Sequence, residues 1–185
     1  MRLGLISDTH VPSTGSTPPA QTTLAFAGVD LILHAGDVFT ADCLDWLETI
    51  APVVAVEMFP SPLMDDPRVA ARRVVEVGNY AIGMMHDLII PGTGFEPVPG
   101  AIGAKFPAEV SLPEAMAKVF GRPVDIVVFG HTHRALVEEH QGILFINPGS
   151  SSLPNQRKEL GTVGILELTP DGRQAAIVNL IDVTG

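Results

Sequence analysis

Two histidines one residue apart, His131 and His133, stand directly after the apolar run Val127-Val128-Phe129-Gly130. Residues 125–129 read as a buried strand. Gly130 is its stop, because glycine permits a turn that a bulkier residue resists. On extended or turning backbone the i, i+2 spacing aims both imidazoles toward one volume, and neutral imidazole is the commonest protein ligand for transition metals. The same design recurs upstream. Residues 2–7 (RLGLIS) lead into Asp8-Thr9-His10, residues 31–33 (LIL) into His34-Ala35-Gly36-Asp37, and residues 80–85 (YAIGMM) into His86-Asp87. Four of the six histidines fall at such run ends: His10, His86, His131 and His133.

These residues need elements that bring them together. In a largely parallel sheet the C-terminal ends of the strands share one edge, and open α/β sheets bind ligands there. Asp8, His10, Asp37, His86, His131 and His133 can therefore converge although the chain separates them widely. Early strand–helix alternation and late hairpins predict an α/β fold of two packed mixed sheets with helices outside.

In their order, Asp8-x-His10, Gly36-Asp37, His86, Gly130-His131-x-His133 and Asn147-Pro148-Gly149-Ser150 resemble the calcineurin-like metallophosphoesterases. The chain is most similar to their small prokaryotic phosphodiesterase branch, which includes the retromer scaffold subunit of eukaryotes. The resemblance covers residues 3 to about 168 and implies an αββα sandwich. It also implies a metal-dependent phosphoesterase acting through a metal-activated hydroxide. Asp8, His10, Asp37 and His133 would hold one ion; Asp37, His86 and His131 would hold a second and serve the chemistry. The implied ions are one or two divalent transition metals, manganese first, with iron, zinc or nickel also suited to mixed imidazole and carboxylate donors. The alternative is a non-catalytic protein-interaction scaffold with a vestigial metal site. One family motif is absent. Met58 and Phe59 stand where the family carries Gly-Asn, whose Asn ligates the second metal. Glu57 precedes that position and is not expected to substitute, since moving it by one residue reverses its facing.

The 185 residues predict one domain, 1–185, of ordinary size. The longest apolar stretches are strand-sized, so no membrane span is expected. Met1-Arg2-Leu3 runs straight into a strand, predicting no secretory leader, and the single cysteine, Cys43, excludes an internal disulfide. A cytoplasmic protein is expected. The formal net charge of −10 and the lack of a basic cluster disfavour nucleic acid. A small phosphate ester remains a suitable substrate where metal ions supply local positive charge.

The rest of the chain reads as follows. Short helices are expected at residues 20–26, at 40–50 with Thr40 as N-cap, and at 111–120 between Ser111 as cap and Gly121 as stop. Hairpins are expected around Gly78-Asn79, Gln141-Gly142 and Pro170-Asp171-Gly172. Residues 88–113, rich in Pro and Gly, predict a long segment of little regular structure near the metal edge. His34 is expected to pack behind the ligands, and His140 to lie on the surface.

Overall fold

The computed structural model describes residues 1–58 and 64–184. The first third alternates strand and helix: β1 (Arg2–Ile6), α1 (Gln21–Ala25), β2 (Leu31–His34), α2 (Ala41–Glu48), β3 (Val53–Val56) and β4 (Val69–Ala70). A hairpin follows, β5 (Arg72–Val77) and β6 (Tyr80–Met85), then α3 (Ala101–Lys105), α4 (Leu112–Phe120) and β7 (Ile126–Val128). Two more hairpins close the chain, β8 (Leu136–His140) with β9 (Ile143–Asn147), and β10 (Thr162–Thr169) with β11 (Gly172–Asn179).

The strands form two sheets, ordered β11-β10-β1-β2-β3-β4 and β5-β6-β7-β9-β8. In the first, β1 to β4 run parallel, with β10 antiparallel to β1 and β11 antiparallel to β10. In the second, β6, β7 and β9 run parallel between antiparallel β5 and β8. Each sheet therefore presents a row of parallel C-terminal strand ends.

Alternation along the strands separates three apolar layers. Leu3 and Leu5 of β1, with Leu33 and Val56, meet Ile82, Met84, Ile126, Val128 and Ile146 between the sheets. Ile6, Phe26, Ile32, Leu44 and Leu47 fill the outer layer under α1 and α2. Val127, Phe129, Phe145, Met116 and Phe120 fill the other, under α4. Strands buried on both faces explain why these segments read as continuous apolar runs. The result is the expected α/β sandwich of two mixed sheets flanked by helices.

The expected helices and hairpins form, with ends shifted by a residue or two, and α4 keeps its predicted boundaries: Ser111 Oγ accepts from Glu114 N at 3.3 Å, and Gly121 takes φ +76°. One expectation needs correction: Thr40 occupies the N-cap position of α2, but its hydroxyl makes no capping bond. Residues 88–113 have little regular structure, as expected, but they are packed. They contain α3, and Leu88, Ile90, Ile102 and Phe106 are buried with the α4 layer. Their apolar residues anchor the segment along the outer face of the second sheet, where α3 packs on β8. β4, only two residues long, had no distinguishing pattern. Phe59 lies outside the described residues.

Candidate metal centre

The loops leaving β1, β2, β6 and β7 meet at one edge of the sandwich. One ligand atom from each of Asp8, His10, Asp37 and His133 lies within 4.8 Å of the others. His10 Nε2 is 3.1 Å from His133 Nε2 and 3.3 Å from Asp37 Oδ2, and His133 Nε2 is 3.3 Å from Asp8 Oδ1. The other oxygen of Asp37 faces elsewhere: Oδ1 is 3.5 Å from His86 Nε2. His131 stands beyond His86, with ring centroids 5.3 Å apart, and is exposed at the mouth. All six residues proposed from the sequence are thus brought to one place. They fall into a tight group of four and a looser pair, His86 and His131, joined through Asp37.

The backbone here is unusual. Asp8, His10, Asp37, Phe39, His131 and His133 all have φ between +50° and +69°. Non-glycine residues seldom adopt this region, and such conformations cluster where function over-determines them. Two glycines make the approach possible. A Cβ on Gly36, itself at φ +101°, would lie 2.3 Å from His86 Nδ1. A Cβ on Gly130 would lie 2.8 Å from both the Ala35 carbonyl and Asp8 Oδ2.

Hydrogen bonds fix the imidazole tautomers. His133 Nδ1 donates to the Leu153 carbonyl at 2.7 Å, and His86 Nδ1 to the Ala35 carbonyl at 2.8 Å. A carbonyl only accepts, so each Nδ1 carries the proton and each neutral ring turns an Nε2 lone pair inward. Those lone pairs face carboxylate oxygens, an arrangement that calls for positive charge between them. The electrostatics agree. Burial pushes the Asp8 carboxyl up, yet the His133 ring, with His86 and Ser7, outweighs it and holds Asp8 below the usual carboxylate range. Burial disfavours protonated His133, yet Asp8, the Leu153 carbonyl and Asp37 prevail and raise its pKa. At His10 burial wins over Asp37 and Asp8, and the pKa falls. Carboxylates with inward imidazole nitrogens form a donor set that fits a divalent transition metal.

Neighbouring residues brace the loops. Ser150 Oγ donates to the Asp8 carbonyl at 2.6 Å, Ser152 Oγ to the Thr9 carbonyl at 2.8 Å, and Ser7 Oγ to the Gly149 carbonyl at 2.7 Å. Asn147 Nδ2 donates to the Gly130 carbonyl at 2.8 Å while its Oδ1 accepts from Gly149 N. The Asn147-Pro148-Gly149-Ser150 turn therefore clamps the β1 and β7 loops. Glu57 was also missed by sequence reasoning as a structural part of the site. Its Oε1 accepts from Val38 N at 2.6 Å and holds the loop just after Asp37. No feature of its type or spacing in the sequence signalled this role. His34 packs behind the ligands as expected, fully buried with Nε2 3.1 Å from Thr9 Oγ1, and burial drives its pKa down to about 3. His140 stays apart, its ring edge-on to Phe106. Cys43 is a buried packing residue whose thiol burial pushes up to about 11. Among the described residues no helix is long and apolar enough to cross a membrane.

Known proteins resemble this chain in sequence and fold. A protein of Methanothermobacter thermautotrophicus described as a "probable metallophosphoesterase" is 32% identical over 156 residues, 83% of this chain and 79% of its own length. The zinc complex of Vps29 from Entamoeba histolytica superposes with a TM-score of 0.64 at 23% identity, covering 97% of this chain and 99% of that one. A structure described as a novel archaeal phosphodiesterase gives a TM-score of 0.61 at 19% identity, covering 96% and 100%. At these identities the two structures speak for the fold. The family model of the calcineurin-like phosphoesterase superfamily domain matches residues 1–171, and with that match, the archaeal relative and the His/Asp centre, the chain belongs to this superfamily of metal-binding phosphoesterases.

Proposed function

We propose that the protein is a metal-dependent phosphohydrolase acting on small phosphodiesters at the edge where the two sheets meet. The observation that carries this reading is the Asp37 carboxylate, whose two oxygens face two separate imidazole sets. Asp8, His10, Asp37 and His133 would hold one ion; Asp37, His86 and His131 would hold a second. Bound divalent ions supply Lewis acidity toward phosphoryl oxygens and lower the pKa of an attacking water. The chain's own residues do the rest. The Leu153 and Ala35 carbonyls keep His133 and His86 in the ligating tautomer. Asp8 is shielded from solvent and held in its ionised form. His131, exposed at the mouth, meets the incoming ester. With Met58-Phe59 in place of Gly-Asn, a second ion would have three side-chain ligands and would bind more weakly than the first, as an open site does. Manganese is the expected metal.

Metal content of the purified protein, together with hydrolysis of bis(4-nitrophenyl) phosphate after manganese addition, tests the reading. Turnover should appear with metal, disappear with chelator and be lost in Asp37→Ala. A fully metal-loaded protein that hydrolyses neither diesters nor monoesters would favour the alternative, a protein-interaction scaffold keeping a vestigial site. The absence of the family's Gly-Asn, with Phe59 at the position of the donor Asn, is the observation on that side.

A further inference from the structure

Beside Asp37, His86 and His131 a cavity of about 260 Å³ opens, and the remaining described residues lining it are Met58, Met85, Asp87 and Ile89. One wall is thus the metal centre, and the other is largely thioether and alkyl. Large apolar side chains are normally covered, yet Met58 is 50% and Ile89 67% exposed on this rim. Phe39, 45% exposed, stands on the far side of the centre with its ring edge-on to His10 at 5.0 Å. Exposed apolar groups gathered at one polar site mark a binding surface rather than chance. Charge narrows the ligand further. No lysine or arginine is among the described lining residues, Asp87 adds a negative charge, and the chain carries a net −10. A second phosphate or a carboxylate on the substrate would therefore meet repulsion. A cavity of about 150 Å³ already accommodates benzene, so this one has room for an aryl or short alkyl group next to the phosphorus.

We infer that the substrate is a phosphate ester whose alcohol or phenol part is apolar and uncharged, and that this part lies against Met58, Met85 and Ile89. The inference rests on the phosphoesterase reading above and adds the substrate class. Met58 then has a positive role beside Phe59, where the family's oxygen donor is missing: it supplies an apolar wall.

The test uses zinc-loaded protein with methionine methyl groups labelled with carbon-13, titrated separately with phenylphosphonate and methylphosphonate and read by NMR. Both probes offer the same headgroup and differ only in the organic part. Phenylphosphonate should bind roughly 10-fold or more tightly than methylphosphonate, the scale of discrimination available to an apolar pocket. It should shift the Met58 and Met85 methyl signals and leave that of Met116, buried on the inner face of α4, in place. Met58→Ser combined with Ile89→Ser should bring the two affinities together, while Met58→Leu should keep them apart. Circular dichroism would confirm that these rim variants fold. Equal affinities with unmoved Met58 and Met85 signals would overturn this inference and leave the phosphoesterase reading standing. If neither phosphonate binds in a zinc-dependent way, both fall.

Discussion

Glu57 is 1% exposed, and its Oε2 has no hydrogen-bond partner among the described residues. Burial pushes its carboxyl pKa up, and the Val38 and Phe39 N–H groups that favour the charged form do not overcome it. A folded-state pKa above the unfolded value of 4.5 means that the native state holds the proton more tightly. Its contribution to stability is therefore present below about pH 4.5 and lost as the pH rises through the folded value. Glu57→Gln removes the charge and keeps an oxygen for Val38 N. In metal-free protein its melting temperature should equal or exceed wild type at pH 7, with the gain shrinking toward pH 4. Glu57→Ala leaves the Val38 N–H unpaired and should cost about 1–3 kcal/mol. Thermal melts across that pH range decide the matter; a Gln variant clearly less stable at pH 7 would contradict the sign. For the ligands, Asp37→Ala should abolish most bound metal, since Asp37 approaches both His10 and His86, while His140→Ala should leave metal content unchanged. Equal content in the two variants would remove Asp37 from the site. Asp8, His10, Asp37, His86, His131 and His133 were legible because carboxylates and imidazoles after apolar runs have few structural uses. Glu57 and Ser152 were not, because bonding to a backbone carbonyl or N–H leaves no mark on residue type or spacing; Ser150 was legible only as part of the Asn147-Pro148-Gly149-Ser150 resemblance.

At the scale of elements, strand ends were easier to read than the segments between them. Apolar runs such as residues 2–6 and 126–128 are short, two-sided and cleanly stopped, so their ends and ligands emerged together. Residues 88–113 were harder to read because Pro and Gly dominate their appearance, while Leu88, Ile90, Ile102 and Phe106 carry the packing. Ile102 and Phe106 stand four apart, but five residues of α3 are too few for a period to show. The two capping positions make a contrast that the sequence could not. Ser111 Oγ accepts from Glu114 N at 3.3 Å, a long bond, so Ser111→Ala should destabilise α4 near the low end of the ~0.5–2 kcal/mol range for caps. Thr40 Oγ1 is buried without a partner among the described residues, and Thr40→Val, of nearly equal volume, should cost nothing or stabilise slightly. Urea titration of both variants checks this. A Thr40→Val loss as large as that of Ser111→Ala would mean that the Thr40 hydroxyl has a partner after all.

Across the whole molecule the candidate centre sits where the two sheets would otherwise be joined only by side-chain packing and a few polar bonds. Asp8, His10 and Asp37 follow strands of one sheet; His86, His131 and His133 follow strands of the other. Without any ion the sheets are already tied: His131 N donates to the Asp8 carboxylate at 3.1 Å, His86 Nδ1 to the Ala35 carbonyl and Ser150 Oγ to the Asp8 carbonyl. The interior layer, from Leu3 to Leu168, is apolar and closed. The metal-free protein should therefore remain folded. What the ion adds is removal of the repulsion between Asp8 and Asp37 and a direct link between the sheets. A ligand at 100 times its dissociation constant stabilises by about 2.7 kcal/mol. For a chain of this length each kcal/mol is worth about 2–4 °C. Manganese or zinc at that excess should raise the melting temperature by roughly 5–10 °C, and chelator should reverse the rise. Asp37→Ala should melt cooperatively, at or slightly above metal-free wild type because one of two facing carboxylates is gone, and should show no metal-dependent shift. Scanning calorimetry of both proteins with and without metal is the measurement. A wild-type melting temperature indifferent to metal, or an Asp37→Ala protein that still gains the full shift, would show that the ion does not bridge the sheets at this edge.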